Sequence, residues 1–371
     1  MKVLIIANSR FKGGASGGDK IYESFHKYWP CNFHTHRVDC EYKPMFFCYL
    51  QRIFIGVIIS LFEPKKFDVV YTSSDFLPDC LAGFTYKLRG YTWVAGYFLQ
   101  ASRESRLHFY TQKICRWLII KFSDMVIVTN PTMYPIFPNK KKTWINGGVD
   151  LKLAGLSDEP KIYDAVWCGR IHYTKGVDEL IEIWSLVRKQ KPYARLALIG
   201  DGDLGLDYVR KRIRYHFGKG KPHGIDLLGY MGDERYKIYK KSKVVLYTTP
   251  LKYDHFSMSP VEAMACGCPM VAFDNPVMDY MLATMWGGSC GVLLVKDIKA
   301  FDNNIRWFLK EDNGWLKANI QDAINYGNQF DYEKQALRVY NDIRRELFDE
   351  DPGDGKPRHG GDSPMPILKI A

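Results

Sequence analysis

The chain lacks the marks of several protein classes. Its nine cysteines form no framework. Cys31, Cys40, Cys48, Cys80, Cys115, Cys168, Cys266, Cys268 and Cys290 are scattered and odd in number, and only Cys266 and Cys268 lie close together, with no second pair to match them. That argues against a disulfide scaffold and against zinc, and reduced thiols in a cytoplasmic setting are expected. The start, MKVLIIAN, is too short in its apolar part for a signal peptide and reads as a first strand. Tandem short repeats are absent. One apolar run, Met45–Phe62, is long enough to weigh as a membrane span. Gln51 and Arg52 near its middle are costly in hydrocarbon, so a buried or interfacial helix is expected instead.

What is present describes a globular protein. Hydrophobic residues make up 46% and charged residues 25% of 371 positions, and aromatics a high 15%. That length calls for two domains. Acid is short relative to base, 41 residues against 52, and the net charge of +11 suits an anionic partner: nucleotide phosphates, a membrane surface or nucleic acid. Only the tail, 349–371, is poor enough in apolar residues to be expected mobile.

Two openings share one pattern. Lys2–Ala7 is an apolar run followed by a Gly-rich loop and a helical period from Lys20 to about Tyr28. Asp164–Cys168 is followed by GRIHYTKG and a helical period over Val177–Lys189. Each is the start of a nucleotide-binding βα unit. Further strands are expected at Asp68–Thr72, Tyr91–Ala95, Asp124–Thr129 and Lys142–Ile145, and in the second half at Ala194–Ile199, Ile225–Leu228, Val244–Thr248, Pro269–Phe273 and Gly291–Val295. Helical stretches separate them, among them Arg103–Phe122, Asp203–Phe217 and Asp233–Lys240. The alternation predicts α/β architecture: two Rossmann-like, doubly wound parallel sheets, in domains 1–150 and 151–330.

Four segments can carry chemistry. Gly17 and Gly18, with Gly13 and Gly14, lie after the first strand, where glycine lets backbone approach an anion. Gly169-Arg170 and Lys175 follow the first strand of the second half, and two cations at that edge can clamp a diphosphate, Arg as a fork and Lys as a point charge. Asp201-Gly202-Asp203 follows the next strand as a turn that can close over a nucleotide or be a plain turn. The most informative run is DHFSMSPVEAMACGCP. Asp254 and Glu262 stand seven residues apart, with a helix expected to begin near Pro260. Backbone N–H groups around Phe256, Ser257 and Met258 can hold phosphate or hexose oxygens, Glu262 in the first turn can accept from a ribose diol, and Asp254 from sugar hydroxyls.

That run resembles the acid-x7-acid motif of retaining glycosyltransferases of the GT-B fold, family 4, whose usual form is E-G-F-G-L-x-x-x-E-A-M-A-x-G-x-P-V-V. Glu262-Ala263-Met264-Ala265-Cys266-Gly267 matches it well. Asp254 stands for the first glutamate, one methylene shorter, and Ser257 for the second glycine. Trp167-Cys168-Gly169-Arg170-Ile171, Lys175-Gly176-Val177-Asp178-Glu179-Leu180, Ile199-Gly200-Asp201-Gly202, Leu228-Gly229 and Asn146-Gly147-Gly148-Val149-Asp150 are similar to further family segments in order. The His that members often carry at the end of a first-domain strand has no counterpart in VAGYFLQAS, where Tyr97, Gln100 and Ser102 stand.

The resemblance implies two domains facing each other across a cleft, with a last helix, 331–348, crossing back to the first. It implies transfer of a hexose from a nucleotide diphosphate sugar to a hydroxyl acceptor, with retention and without metal or other cofactor. Arg170 and Lys175 would stabilise the leaving diphosphate. The first domain would then present the acceptor. Its apolar run Met45–Phe62 and its basic aromatic helix Arg103–Phe122 suit an anionic bilayer, so contact with the cytoplasmic membrane face and a lipid-linked or other glycan acceptor are expected. Two other readings are weaker. A nucleotide-sugar 2-epimerase of similar fold is disfavoured by the acid-x7-acid run. A nucleic-acid-binding protein is disfavoured because the basic runs Lys140–Lys142 and Arg210–Arg214 lack interleaved aromatics.

Overall fold

The computed structural model describes residues 1–8, 17–38, 45–98, 106–145, 148–249, 257–274, 291–309 and 314–349. Of the sequence-predicted features, the tail beyond Asp349, the start of the Arg103–Phe122 helix and the residues Gly13, Gly14, Gln100, Ser102, Asn146, Gly147, Asp254 and Phe256 lie outside them.

The first domain is a six-stranded parallel sheet. Its strands are β1 (Lys2–Ile6), β2 (Asn32–His36), β3 (Val69–Thr72), β4 (Thr92–Tyr97), β5 (Met125–Val128) and β6 (Lys141–Trp144), in the order β2-β1-β3-β4-β5-β6. Alternate residues feed opposite faces, as the pleat requires. Val3, Ile5, Val69, Tyr71, Val94, Met125 and Ile127 pack with Ile21 and Phe25 of α1 (Gly17–Tyr28). Trp93, Ala95, Val126 and Val128 face α3 (Leu77–Leu88) and α4 (Arg106–Phe122). Helix α2 (Met45–Phe62) lies against α3. Strand β2 has no counterpart among the sequence-predicted strands. Its residues, NFHTH, lack the apolar run because it is an edge strand, largely exposed.

The second sheet has the order β12-β11-β10-β7-β8-β9. Its strands are β7 (Tyr163–Cys168), β8 (Leu196–Ile199), β9 (Ile225–Gly229), β10 (Ser242–Tyr247), β11 (Met270–Phe273) and β12 (Val292–Val295). One face packs on α5 (Val177–Gln190), α6 (Gly205–Phe217) and α9 (Ile298–Phe308), with Trp184 at 0% exposure in that core. The other packs on α7 (Arg235–Lys240), α8 (Met258–Ala265) and α10 (Gly314–Asn328). The chain winds outward from β7 through β8 to β9 and returns to β10 on the other side, so the carboxyl ends of β7 and β10 flank the point where strand order reverses. Ligands of open α/β sheets bind at such a point.

The last helix, α11 (Tyr332–Phe348), leaves the second sheet and packs on the first. Ala336, Val339, Tyr340 and Ile343 join the α1 core, and the Trp29 indole donates to Ala336 O at 2.8 Å. Asp331 caps α11, accepting from the backbone N–H groups of Glu333 and Lys334. The two chain segments that pass between the sheets are pinned to each other: Val149 N donates to Phe330 O at 2.6 Å and Tyr332 N to Val149 O at 3.1 Å.

Candidate functional site

The loop after β7 is shaped by what it must pass. Gly176 sits in the left-handed region at φ +70, and a Cβ there would lie 1.7 Å from the carbonyl oxygen of Thr248, just beyond β10. The Thr248 hydroxyl donates to Gly176 O at 2.7 Å and accepts from the Trp167 indole at 3.1 Å. The β7 loop is thereby fastened to the end of β10. Between the two, His172 caps the turn Tyr173–Lys175: its Nδ1 accepts from Thr174 N, and its carbonyl accepts from Lys175 N at 2.9 Å. Arg170 is exposed and Lys175 half-buried in this loop.

Gly202 lies against this loop from behind. A Cβ there would meet Arg170 Cγ and Ile171 O, both at 2.7 Å. Ile171 N donates to Asp201 O at 3.0 Å, which ties the two turns together. The glycine at 202 therefore allows close backbone packing beneath Arg170. Gly169 is half-buried beside the Trp167 ring, 3.2 Å from where its Cβ would be.

Helix α8 begins earlier than the sequence suggests. Ser257, extended at φ −96, ψ 136, is the N-cap and Met258 the first helical residue, so Pro260 is third and Glu262 sits in the second turn rather than the first. Pro fits anywhere in a first turn because those N–H groups have no intrahelical acceptor. Likewise Gly17 and Gly18 open helix α1 rather than lie in the preceding loop.

Glu262 is not left open for a ligand alone. It is 4% exposed, and Arg235 at the start of α7 grips it in a fork: Nε to Oε2 and Nη2 to Oε1, both 2.8 Å. Tyr239 OH adds a longer contact to Oε2 at 3.4 Å. Burial works against the guanidinium charge, but the Glu262 carboxylate outweighs it, and the Arg235 pKa is raised. The Tyr239 hydroxyl is pushed well up, first by burial and then by Cys168 and Glu262. The same cluster reaches the segment joining the domains, since Tyr236 OH accepts from Asp150 N at 3.2 Å. Sequence reasoning missed Arg235 and Tyr239. They stand 27 and 23 residues from Glu262, and only the packing of α7 beside α8 joins them.

The structure thus brings Gly169, Arg170, Lys175, Gly202, Ser257, Met258 and Glu262 to one edge of the second sheet, around β7 and β10. Gly17 and Gly18 belong to the first sheet, after β1. Tyr97 is core, 1% exposed and packed on Phe137, so it does not stand in for a strand-end His. The Cys266–Cys268 pair is structural: both are buried, and the Cys268 thiol donates to Tyr239 O and Ser242 O.

Comparison with known proteins bears on the family and the fold. Residues 163–311 match the family model described as glycosyl transferases group 1. An uncharacterized glycosyltransferase of Methanocaldococcus jannaschii is 33% identical over 118 residues, 32% of this chain and 28% of that protein, so the match spans less than a third of the relative's length. Among solved structures, sucrose-phosphate synthase from Thermosynechococcus elongatus superposes with a TM-score of 0.71 at 18% identity, covering 94% of this chain and 99% of that one. HepE of Anabaena, solved with UDP and glucose, gives 0.67 at 17% identity, covering 91% and 98%. The fold is GT-B, and the second domain carries the glycosyl transferases group 1 signature.

Proposed function

We propose that this chain is a retaining, metal-independent glycosyltransferase that moves a hexose from a nucleotide diphosphate sugar to a hydroxyl acceptor. The observation that carries the reading is the convergence of Arg170, Lys175 and the α8 helix start on the strand-order reversal of the second sheet. Two cations and the free N–H groups of a helix start are what a departing diphosphate needs. Glu262, with Oε2 taken by Arg235 and the longer Tyr239 contact, keeps a lone pair on Oε1 for a ribose hydroxyl, since each carboxylate oxygen accepts twice. Asp254 takes the sugar hydroxyls and Phe256, Ser257 and Met258 supply backbone donors. Gly17 and Gly18, at the start of α1, lie on the acceptor side. No dedicated base is assigned, because the diphosphate itself can take the acceptor proton on the same face.

HepE, a neighbour of the same fold, was solved with UDP and glucose, which supports a nucleotide-sugar donor here. We place the chain in the cytoplasm, with a lipid-linked or other glycan acceptor reached at an anionic membrane face. Among the described residues no helix is long and apolar enough to cross a membrane. The nucleic-acid reading is weakened by the use the basic runs are put to. Lys140, Lys141 and Lys142 each donate to a backbone carbonyl, and Arg212 pairs with Asp178 at 2.7 Å.

A thermal-shift screen over nucleoside diphosphates and their sugars tests the reading, because a ligand that binds only the folded state raises its stability. At least one nucleotide should raise Tm. Glu262→Ala should weaken binding of the nucleoside diphosphate itself, whereas Asp254→Ala should leave that binding near normal and impair sugar transfer. No shift with any nucleotide would sink the proposal.

A further inference from the structure

Helix α2 is built inside out. Its buried positions recur every four residues and are Cys48, Arg52, Gly56 and Ser60. Its most exposed positions are Phe47, Leu50, Phe54, Ile58 and Leu61, and Phe62 at the end is 77% exposed. A helix on a water-facing surface turns its apolar stripe inward and its polar stripe outward. Here the inner stripe has to be slim: a Cβ on Gly56 would lie 2.6 Å from Asn8 Nδ2. The bulky residues are left outside, as one continuous apolar ridge of the kind that marks an interaction surface.

The neighbouring helices extend the pattern. Helix α4 exposes Tyr110, Ile114 and Trp117 on one stripe, with Lys113 and Lys121 exposed alongside. Helix α3 lies between them and exposes Leu88 near its end. The three helices hold one acidic residue, Asp79, and it is fully buried. Beyond the end of α2 the cations continue. Lys2, Lys65 and Lys66 line a shallow cavity of about 240 Å³ together with Phe33, His34 and Phe67.

We propose that the α2–α4 face of the first domain docks on an anionic lipid bilayer, with α2 lying in the membrane plane and its outer ridge among the upper acyl chains. Eighteen residues at a rise of about 1.5 Å give roughly 27 Å of helix along the interface. Apolar and aromatic side chains next to lysines, with no exposed acid on the three helices, complement anionic headgroups over hydrocarbon, and the lysines beyond α2 outnumber the two acids beside them, Glu63 and Asp68. A second copy of the chain is a poorer occupant, since a symmetric contact through this face would set these lysines against one another. The inference deepens the glycosyl-transfer reading by bringing its acceptor side to the membrane. Vesicle binding needs no sugar, so failure of docking and failure of transfer are separable.

Co-sedimentation of the full chain with phosphatidylcholine vesicles, with and without phosphatidylglycerol, tests this. Binding should require the anionic lipid and weaken as salt rises. Phe54→Ser with Ile58→Ser should weaken it at least about tenfold. Lys65→Ser and Lys113→Ser should each weaken it about fivefold. All four positions are exposed, so melting temperatures should not fall. No sedimentation with anionic vesicles at low salt would overturn the proposal. So would binding indifferent to the Phe54/Ile58 change. Light scattering that finds a dimer abolished by that change, in a protein that ignores vesicles, would assign the ridge to self-association instead.

Discussion

The Arg235–Glu262 fork offers the most direct test of how the second domain is held together. Both side chains are largely out of water, 13% and 5% exposed, and both Glu262 oxygens accept from the guanidinium at 2.8 Å. Arg235→Met keeps the aliphatic stem on α7 but leaves the Glu262 carboxylate inside without its counter-ion. Breaking one side of a buried pair typically costs about 3–5 kcal/mol, because the remaining charge stays desolvated. In a domain of this size that is on the order of 10 °C in Tm. Arg235→Lys should recover only part, since an ammonium cannot make the two-pronged contact. The double variant Arg235→Met/Glu262→Gln should be markedly more stable than the sum of the two single changes predicts, because no buried charge is left over. Thermal and denaturant melts of the four proteins form the cycle. If Arg235→Met costs less than about 1 kcal/mol, or the cycle shows no coupling, the fork is not structural and the account of Glu262 is wrong.

Other outcomes follow from single contacts. Arg170→Ala and Lys175→Ala should each lower turnover by roughly 100- to 1,000-fold with the melt unchanged, and near-normal rates in both would remove them from the site. Gly176→Ala places a side chain at φ +70 against the Thr248 carbonyl, so it should destabilise the second domain by more than about 2 kcal/mol, and a wild-type melt would contradict the tight crossing. Burial pushes the Asp75 carboxyl up to about 6, against donation from Gln112. Its stabilising share is therefore full below its unfolded value near 4 and is lost as pH rises through about 6, on the order of 3 kcal/mol. Asp75→Asn should flatten that fall in stability between about pH 4 and 6, and parallel pH profiles for the two proteins would refute it.

Strand and helix alternation made the two parallel sheets legible in the sequence because interior strands such as VLII and LALI are apolar on both faces. It failed at β2, where edge exposure removes that signal. Spacing along the chain brought out Arg170, Lys175 and Glu262, since each sits just past a strand or within a marked helix. It could not reveal Arg235, whose link to Glu262 exists only once α7 packs beside α8. Nor could it separate the roles of the glycines. Gly202 and Gly176 read alike as loop glycines, yet the first makes room beneath Arg170 and the second for the end of β10.

The same limit decides how Met45–Phe62 is read. A run that is apolar nearly all round carries no signal for which side is inside, and its few polar residues are by default assigned to water. Arg52 then looks like an obstacle to a span and leaves open which side of the helix is buried. In the structure Arg52 is 4% exposed and shares the inner stripe with Gly56 and Ser60, so the charge that forbids a span lies on the protein side. The two facts belong together. A helix that keeps its charge against the domain shows a mainly apolar outer face, with half-buried Gln51 its one polar residue off the inner stripe, and a helix lying in the headgroup region needs an apolar outer face and no buried charge in the lipid. Arg52 therefore argues for a helix that lies on a bilayer as strongly as it argues against one that crosses it.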